Sequence, residues 1–302
     1  MNGLTLVFPD LAYRAARVPP DAPVTIGSEA HKNLFCRTLL DTFDPYHPAV
    51  LDWPKLDEEA RDRLVRLPIW DIAVQTEGKA GLHVKTYSEW ISDPLLARAV
   101  ALNAFEENRH KHVLANLVEA YGIALAPEPE YVKPQDAEWA FMVTGYSECI
   151  DSFFAFGLFE MARRSGFFPP ALLATFEPVM QEEGRHILFF VNWAAWHRHN
   201  LPFWRRPLFD LKRLAVWAYL VSERLSLARD VNGNPQDHNF TVSGASQVGV
   251  DIGMAELLDI CLSENNRRLG IYDRRLLHPR AVPLLARLAR RFMRGSKPRA
   301  CA

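Results

Sequence analysis

From residue 68 to residue 200, apolar and charged residues intermix in four long stretches, each bounded by proline, glycine or a short polar cluster. The pattern predicts helices over about 68–91, 94–121, 136–165 and 170–200. The first ends in Ser92-Asp93-Pro94, the second at Gly122, the third at Gly166, and the fourth before Pro202. Proline lacks the N–H that a first helical turn leaves unbonded, and glycine accepts the left-handed conformation that closes a last turn. Short connections within each pair make its helices antiparallel neighbours. The link between the pairs, residues 122–135, is longer and proline-rich, as a crossover requires.

The flanks read differently. Residues 1–67 form an irregular N-terminal arm with two short helices, one capped by Ser28 and one starting at Asp57 with acids in its first turn. Residues 201–302 form a C-terminal helical extension, with helices near 203–230, 251–270 and 280–294, packed on the 68–200 unit. Between the first two lies a long polar loop, 232–250, with room for a short hairpin. Its Asp230-to-Asp237 stretch is not a calcium loop, because Gly233 and Pro235 are misplaced and Thr241 stands where a glutamate is needed. The expected fold is all-α: a four-helix bundle with a helical arm and added C-terminal helices.

Composition narrows the chemistry. Of 302 residues 49% are hydrophobic, enough for a large core, and the formal charge of −1 gives no general attraction to nucleic acid. Only the tail is locally basic, and it reads as a solvated face. Cys36, Cys149, Cys261 and Cys301 make no Cys-x-x-Cys pair, which excludes a zinc ribbon or a rubredoxin-type iron site. Sparse cysteines, no signal-like N-terminus and no long apolar run place the chain in the cytoplasm without a membrane span. A sequon at Asn239 therefore reads as chance.

One five-residue phrase changes the picture. Glu-Glu-x-Arg-His occurs twice, at 106–110 and at 182–186, on the second and fourth predicted helices. Residues three apart share a helix face, so Glu107 with His110, and Glu183 with His186, can each present a carboxylate and an imidazole to one point. That donor set suits iron or manganese, and it lacks the His-Glu-x-x-His of a zinc protease. A di-metal bundle needs one more glutamate from each remaining helix. A helix rises about 1.5 Å per residue, so depth from the turns selects Glu77 on the first helix and Glu148 on the third.

In this order, Glu77, Glu107-x-x-His110, Glu148, Glu183-x-x-His186, residues 68–200 resemble the ferritin-like di-iron carboxylate superfamily. The Glu-x-Arg-His context is similar to bacterial multicomponent monooxygenases and to rubrerythrin-like relatives. The resemblance implies that these six residues hold two iron ions, or an iron–manganese pair, with Glu107 and Glu183 bridging. It implies that Glu106, Arg109, Glu182 and Arg185 orient the histidines. It also implies activation of dioxygen to oxidise a small, mostly apolar organic substrate, with electrons from a separate reductase or from the substrate.

Two neighbours of Glu148 bear on catalysis. Asp151 stands where rubrerythrins carry an extra carboxylate, and Ser152 where the monooxygenases place a threonine hydroxyl. Phe153, Phe154 and Phe156 are placed to wall a pocket. Leu114 replaces the tyrosine of radical-type ribonucleotide reductase subunits, which argues against that activity. Two other outcomes stay open: peroxide reduction or ferrous iron oxidation at the same site, and a metal-free helical protein that serves a partner. The reading also leaves room for a homodimer.

Overall fold

The computed structural model describes residues 23–46, 51–67, 69–229 and 253–295. The expected hairpin and sequon, the first 22 residues, Cys301 and the end of the basic tail lie outside these residues. The described residues form nine helices and no strand. We number them α1 (Glu29–Asp41), α2 (Glu58–Val65), α3 (Trp70–Ser88), α4 (Pro94–Tyr121), α5 (Ala137–Ser165), α6 (Pro170–Asn200), α7 (Arg206–Arg229), α8 (Met254–Leu269) and α9 (Ala281–Gly295). None is long and apolar enough to cross a membrane.

Caps set the helix ends. Ser28, Asp57, Asp93 and Asp136 each accept a backbone N–H three residues on, satisfying a donor that the first turn leaves open. Gly122 and Gly166, at φ 67° and 65°, close α4 and α5 in the left-handed conformation. One interruption has no counterpart in the sequence reading: α6 runs through Pro178, where a ladder hydrogen bond is necessarily missing.

α3 lies along α4 more extensively than any other pair, and α5 packs on α3, α6, α7 and α8. The link from α4 to α5 acts as the crossover. Ala126 N–H reaches Asp71 at the start of α3, the Tyr131 ring lies over Gly78 in its middle, and Lys133 pairs with Glu89 at its end. The link therefore travels the length of α3 and delivers α5 at the end from which α4 departed.

The first helix of the expected arm is not peripheral. Phe35, Cys36 and Leu39 of α1 sit in the main apolar cluster with Val84, Phe141, Phe190 and Trp193, because α1 docks on α6 and α4. At one end of the long helices Tyr87 stacks on Phe141 at 4.5 Å, with Trp193 edge-on to both. At the other end Trp70, Leu117, Tyr121 and Leu172 form a separate apolar cluster. Between these two dry ends, α3 to α6 bring a band of charged side chains into the interior.

Candidate metal centre

That band contains all six expected ligands. Oxygen or nitrogen atoms of Glu77, Glu107, His110 and Glu183 lie within 4.8 Å of one another, as do those of Glu107, Glu148 and His186. Glu107 belongs to both groups. His110 Nδ1 is 3.2 Å from Glu183 Oε1 and 3.6 Å from Glu77 Oε2; His186 Nδ1 is 2.7 Å from Glu107 Oε1. The Nδ1 atom of each histidine thus has its shortest contact with the expected ligand carboxylate of the opposite motif. Glu183 falls in one group alone, so the geometry does not reproduce the expected second bridge. Its other oxygen, Oε2, accepts the Ser152 hydroxyl at 2.9 Å.

The flanking residues of the two phrases cross in the same way. His110 Nε2 meets Glu182 Oε2 at 2.8 Å, and His186 Nε2 meets Glu106 Oε2 at 2.8 Å. Arg109 donates to Glu182, and Arg185 to Glu106 at 2.7 Å. All four flanking side chains are buried. They are internal ion pairs, each carboxylate shared between the histidine and the arginine of the opposite helix. The arginines also tie down the N-terminal segment: Arg185 donates to the Leu39 carbonyl at 3.1 Å and Arg109 to those of Asp44 and Tyr46 at 2.7 and 3.2 Å. Tyr46 reaches Glu182 Oε2 at 3.4 Å, and its ring lies 4.0 Å from the Arg109 guanidinium. Nothing in the local sequence of Tyr46 marked it as a neighbour of the site.

Asp151 does not join the cluster, against expectation. Three helical residues beyond Glu148, it has rotated toward α7, where it is 45% exposed and pairs with Arg224 at 2.6 Å and Ser147 at 2.8 Å. The three phenylalanines do not wall a site cavity either: Phe153 and Phe156 are packed into the core, and Phe154 packs against it. A groove of about 550 Å³ runs outside α3 and α4 over Gly78, Gly81, Ala104 and Phe105. His83 is partly buried with Nδ1 3.2 Å from Thr144 Oγ1, and burial pushes it down to about 4.

The buried carboxylates and imidazoles act strongly on one another. Burial and the facing Glu107 and Glu183 push Glu77 up to about 8, and burial with the same two carboxylates raises Glu148 well above the usual range. Burial opposes charge on both imidazoles. The carboxylates win, raising His110 strongly and His186 to about 10. Burial would likewise raise Glu106, but Arg185 and His186 hold it at about 2. The cluster calls for positive charge at its centre. His110 Nδ1, His186 Nδ1 and Glu107 Oε1 are fully buried, and the two nitrogens face carboxylate oxygens of the cluster. Each Nε2 is hydrogen-bonded to a glutamate and each Nδ1 faces the ligand carboxylates, so that loss of the Nδ1 proton would leave a lone pair there, as in a metal-ligating histidine. Four carboxylates also balance two divalent cations, and a buried charge needs such a partner. The residues present fit a pair of hard or borderline metal ions. No protein-family model, no curated protein and no solved structure matches the chain.

Proposed function

We propose that this chain is a ferritin-like di-iron carboxylate protein, an oxygenase or oxidase that activates dioxygen against a small, mostly apolar organic molecule. The observation that supports it best is the crossed pair of histidines, each fixed through Nε2 by a buried glutamate with Nδ1 facing the ligand carboxylates. In this reading α3 to α6 are the four helices of the bundle. Glu77, Glu107, His110 and Glu183 hold one ion, and Glu107, Glu148 and His186 the other. Two ferrous ions there would supply electrons to dioxygen; an iron–manganese pair suits the same donors.

The chain's own residues supply the rest. The buried imidazoles and Glu107 keep water from the middle of the site, while the Glu77 side chain, 20% exposed, marks its more open side. Gly78, beside Glu77, lines the outer groove, whose volume accommodates a small molecule over glycine, alanine and leucine. Ser152 holds its proton on Glu183 Oε2, and rotation of that hydroxyl frees the oxygen to coordinate. Turnover of an oxygenase requires a separate reductase or a reducing substrate. Peroxide reduction loses the residue that suggested it, since Asp151 is engaged with Arg224.

Elemental analysis of protein produced in iron-replete medium tests the proposal. The expected result is close to two metal ions per chain, and less than half of that in Glu107→Ala with helical content unchanged. A metal-free wild type, or an unaltered metal content in the variant, would overturn it.

A further inference from the structure

α9 ends the described chain and packs on α8, with a smaller contact to α5. Val282 and Ala286 are buried in that contact, and Arg290 crosses to Asp259 of α8. The apolar side of α9 is wider than the contact. At about 100° per residue, Leu284, Leu288, Phe292 and Leu285 follow one another across about 100° of the helix surface. They are 53, 44, 75 and 60% exposed. Directly beyond Leu284 on the wheel come Arg291 and Arg287, both exposed. No other described helix separates apolar from charged residues as sharply. Every charged residue of α9 is an arginine. From Arg274 to Ala302 the sequence holds nine lysines and arginines and no acid, so the remainder of a chain of net charge −1 is acidic. The basic face, expected to be simply solvated, thus borders an exposed apolar strip.

We propose that α9 lays this strip on the surface of an anionic lipid bilayer, with its leucines at the acyl boundary and Arg287 and Arg291 among the headgroups. A helix with leucine and phenylalanine on one face and arginine beside it lies in the plane of that interface. Its 15 residues span about 22 Å, short of the roughly 30 Å hydrocarbon core, so it rests on the bilayer without crossing it. Charge selects the occupant. An anionic surface attracts the arginines and repels the acidic remainder of the chain, which turns this end toward the bilayer. A protein groove that grips a helix encloses much of its circumference, whereas α9 keeps Val282 and Ala286 docked on its own chain. A flat bilayer needs only the exposed arc. Nucleic acid would engage the arginines and leave the leucines in water.

Co-sedimentation of the full chain with vesicles tests this. Wild type is expected to bind phosphatidylcholine vesicles containing about one-third phosphatidylserine, and to bind pure phosphatidylcholine at least about 10-fold more weakly. Leu285→Ser/Leu288→Ser should weaken binding to the mixed vesicles at least about 10-fold. Its melting temperature should match wild type, because both side chains are exposed in the free protein. A polarity-sensitive dye on Leu288→Cys reads the orientation in a Cys301→Ser background, where Cys36, Cys149 and Cys261 are buried. It should brighten on the mixed vesicles, and the same dye on Lys85→Cys, exposed on α3, should not. A wild type that ignores the mixed vesicles, equal binding to the two lipids, binding indifferent to the leucine variant, or brightening at position 85 alone would each overturn the proposal. An oligomer of the free chain that the leucine variant dissolves would overturn it as well, by assigning the strip to a second copy.

Discussion

At the scale of single residues, the two copies of Glu-Glu-x-Arg-His divide their labour by helical angle. The second glutamate and the histidine, three apart, point to the cluster, while the first glutamate reaches across to the opposite histidine. The i, i+3 relation was legible because it depends only on helix geometry. The crossing was not, because it depends on how α4 and α6 are rotated against each other. Asp151 shows the same limit: three residues from Glu148 was near enough to suggest a ligand and far enough round α5 to meet Arg224 instead. Two substitutions separate these positions. Glu182→Gln keeps the shape but removes the charge that fixes His110, and metal affinity should fall about 10- to 100-fold in a competition titration with a chelator. Asp151→Asn should leave metal content unchanged and lower stability by at most about 1 kcal/mol, since its pair with Arg224 is half exposed.

At the scale of elements, caps and breakers announced the helices, and most boundaries fell within a few residues of the proline and glycine signals. The role of α1 was hidden, because a short helix in a proline-rich segment looks the same from sequence whether it is solvated or docked. Where α5 meets its neighbours, two glycines do the positioning. A Cβ on Gly157 would stand 2.3 Å from Cys261 Sγ and 3.1 Å from its Cα, and one on Gly145 would stand 2.1 Å from the buried Phe190 ring. Neither neighbour can swing away. Gly157→Ala should therefore destabilise the fold by about 1–3 kcal/mol, read as a lower urea midpoint, as the α5–α8 contact is forced open. α5 also carries Glu138, held at about 2 chiefly by His197, with Lys212 second, against the opposing effect of burial. A depressed carboxylate contributes stability above its unfolded value of 4.5 and loses it as pH falls through about 2. With the pair partly solvated this amounts to about 1–2 kcal/mol. Glu138→Gln should be less stable than wild type at pH 6, and the gap should close as the urea midpoints are followed down to about pH 2.

At the scale of the whole molecule, an interior with four facing carboxylates and two imidazoles must be neutralised by protons or by cations. Without metal, protons do it: Glu77 is raised to about 8, His186 to about 10, and His110 and Glu148 are raised as well. All four groups bind protons more tightly folded than unfolded. The linkage sign is therefore the same for each. The unfolded chain holds fewer protons between about pH 4.5 and 10, so the stability of the metal-free protein falls as pH rises through that window. Metal ions bound as proposed would replace those protons, so their affinity would rise with pH and their binding would release protons. A free-metal concentration a hundred times the dissociation constant adds about 2.7 kcal/mol to the folded state. The two forms should then respond oppositely. The melting temperature of chelator-treated protein should drop by several degrees between pH 6 and pH 9, while that of metal-loaded protein holds or climbs. Calorimetric titration of the metal in buffers of different ionisation enthalpy should show protons released on binding. Parallel melting curves for the two forms, or binding without proton release, would mean that the buried acids and imidazoles are not where the metal goes.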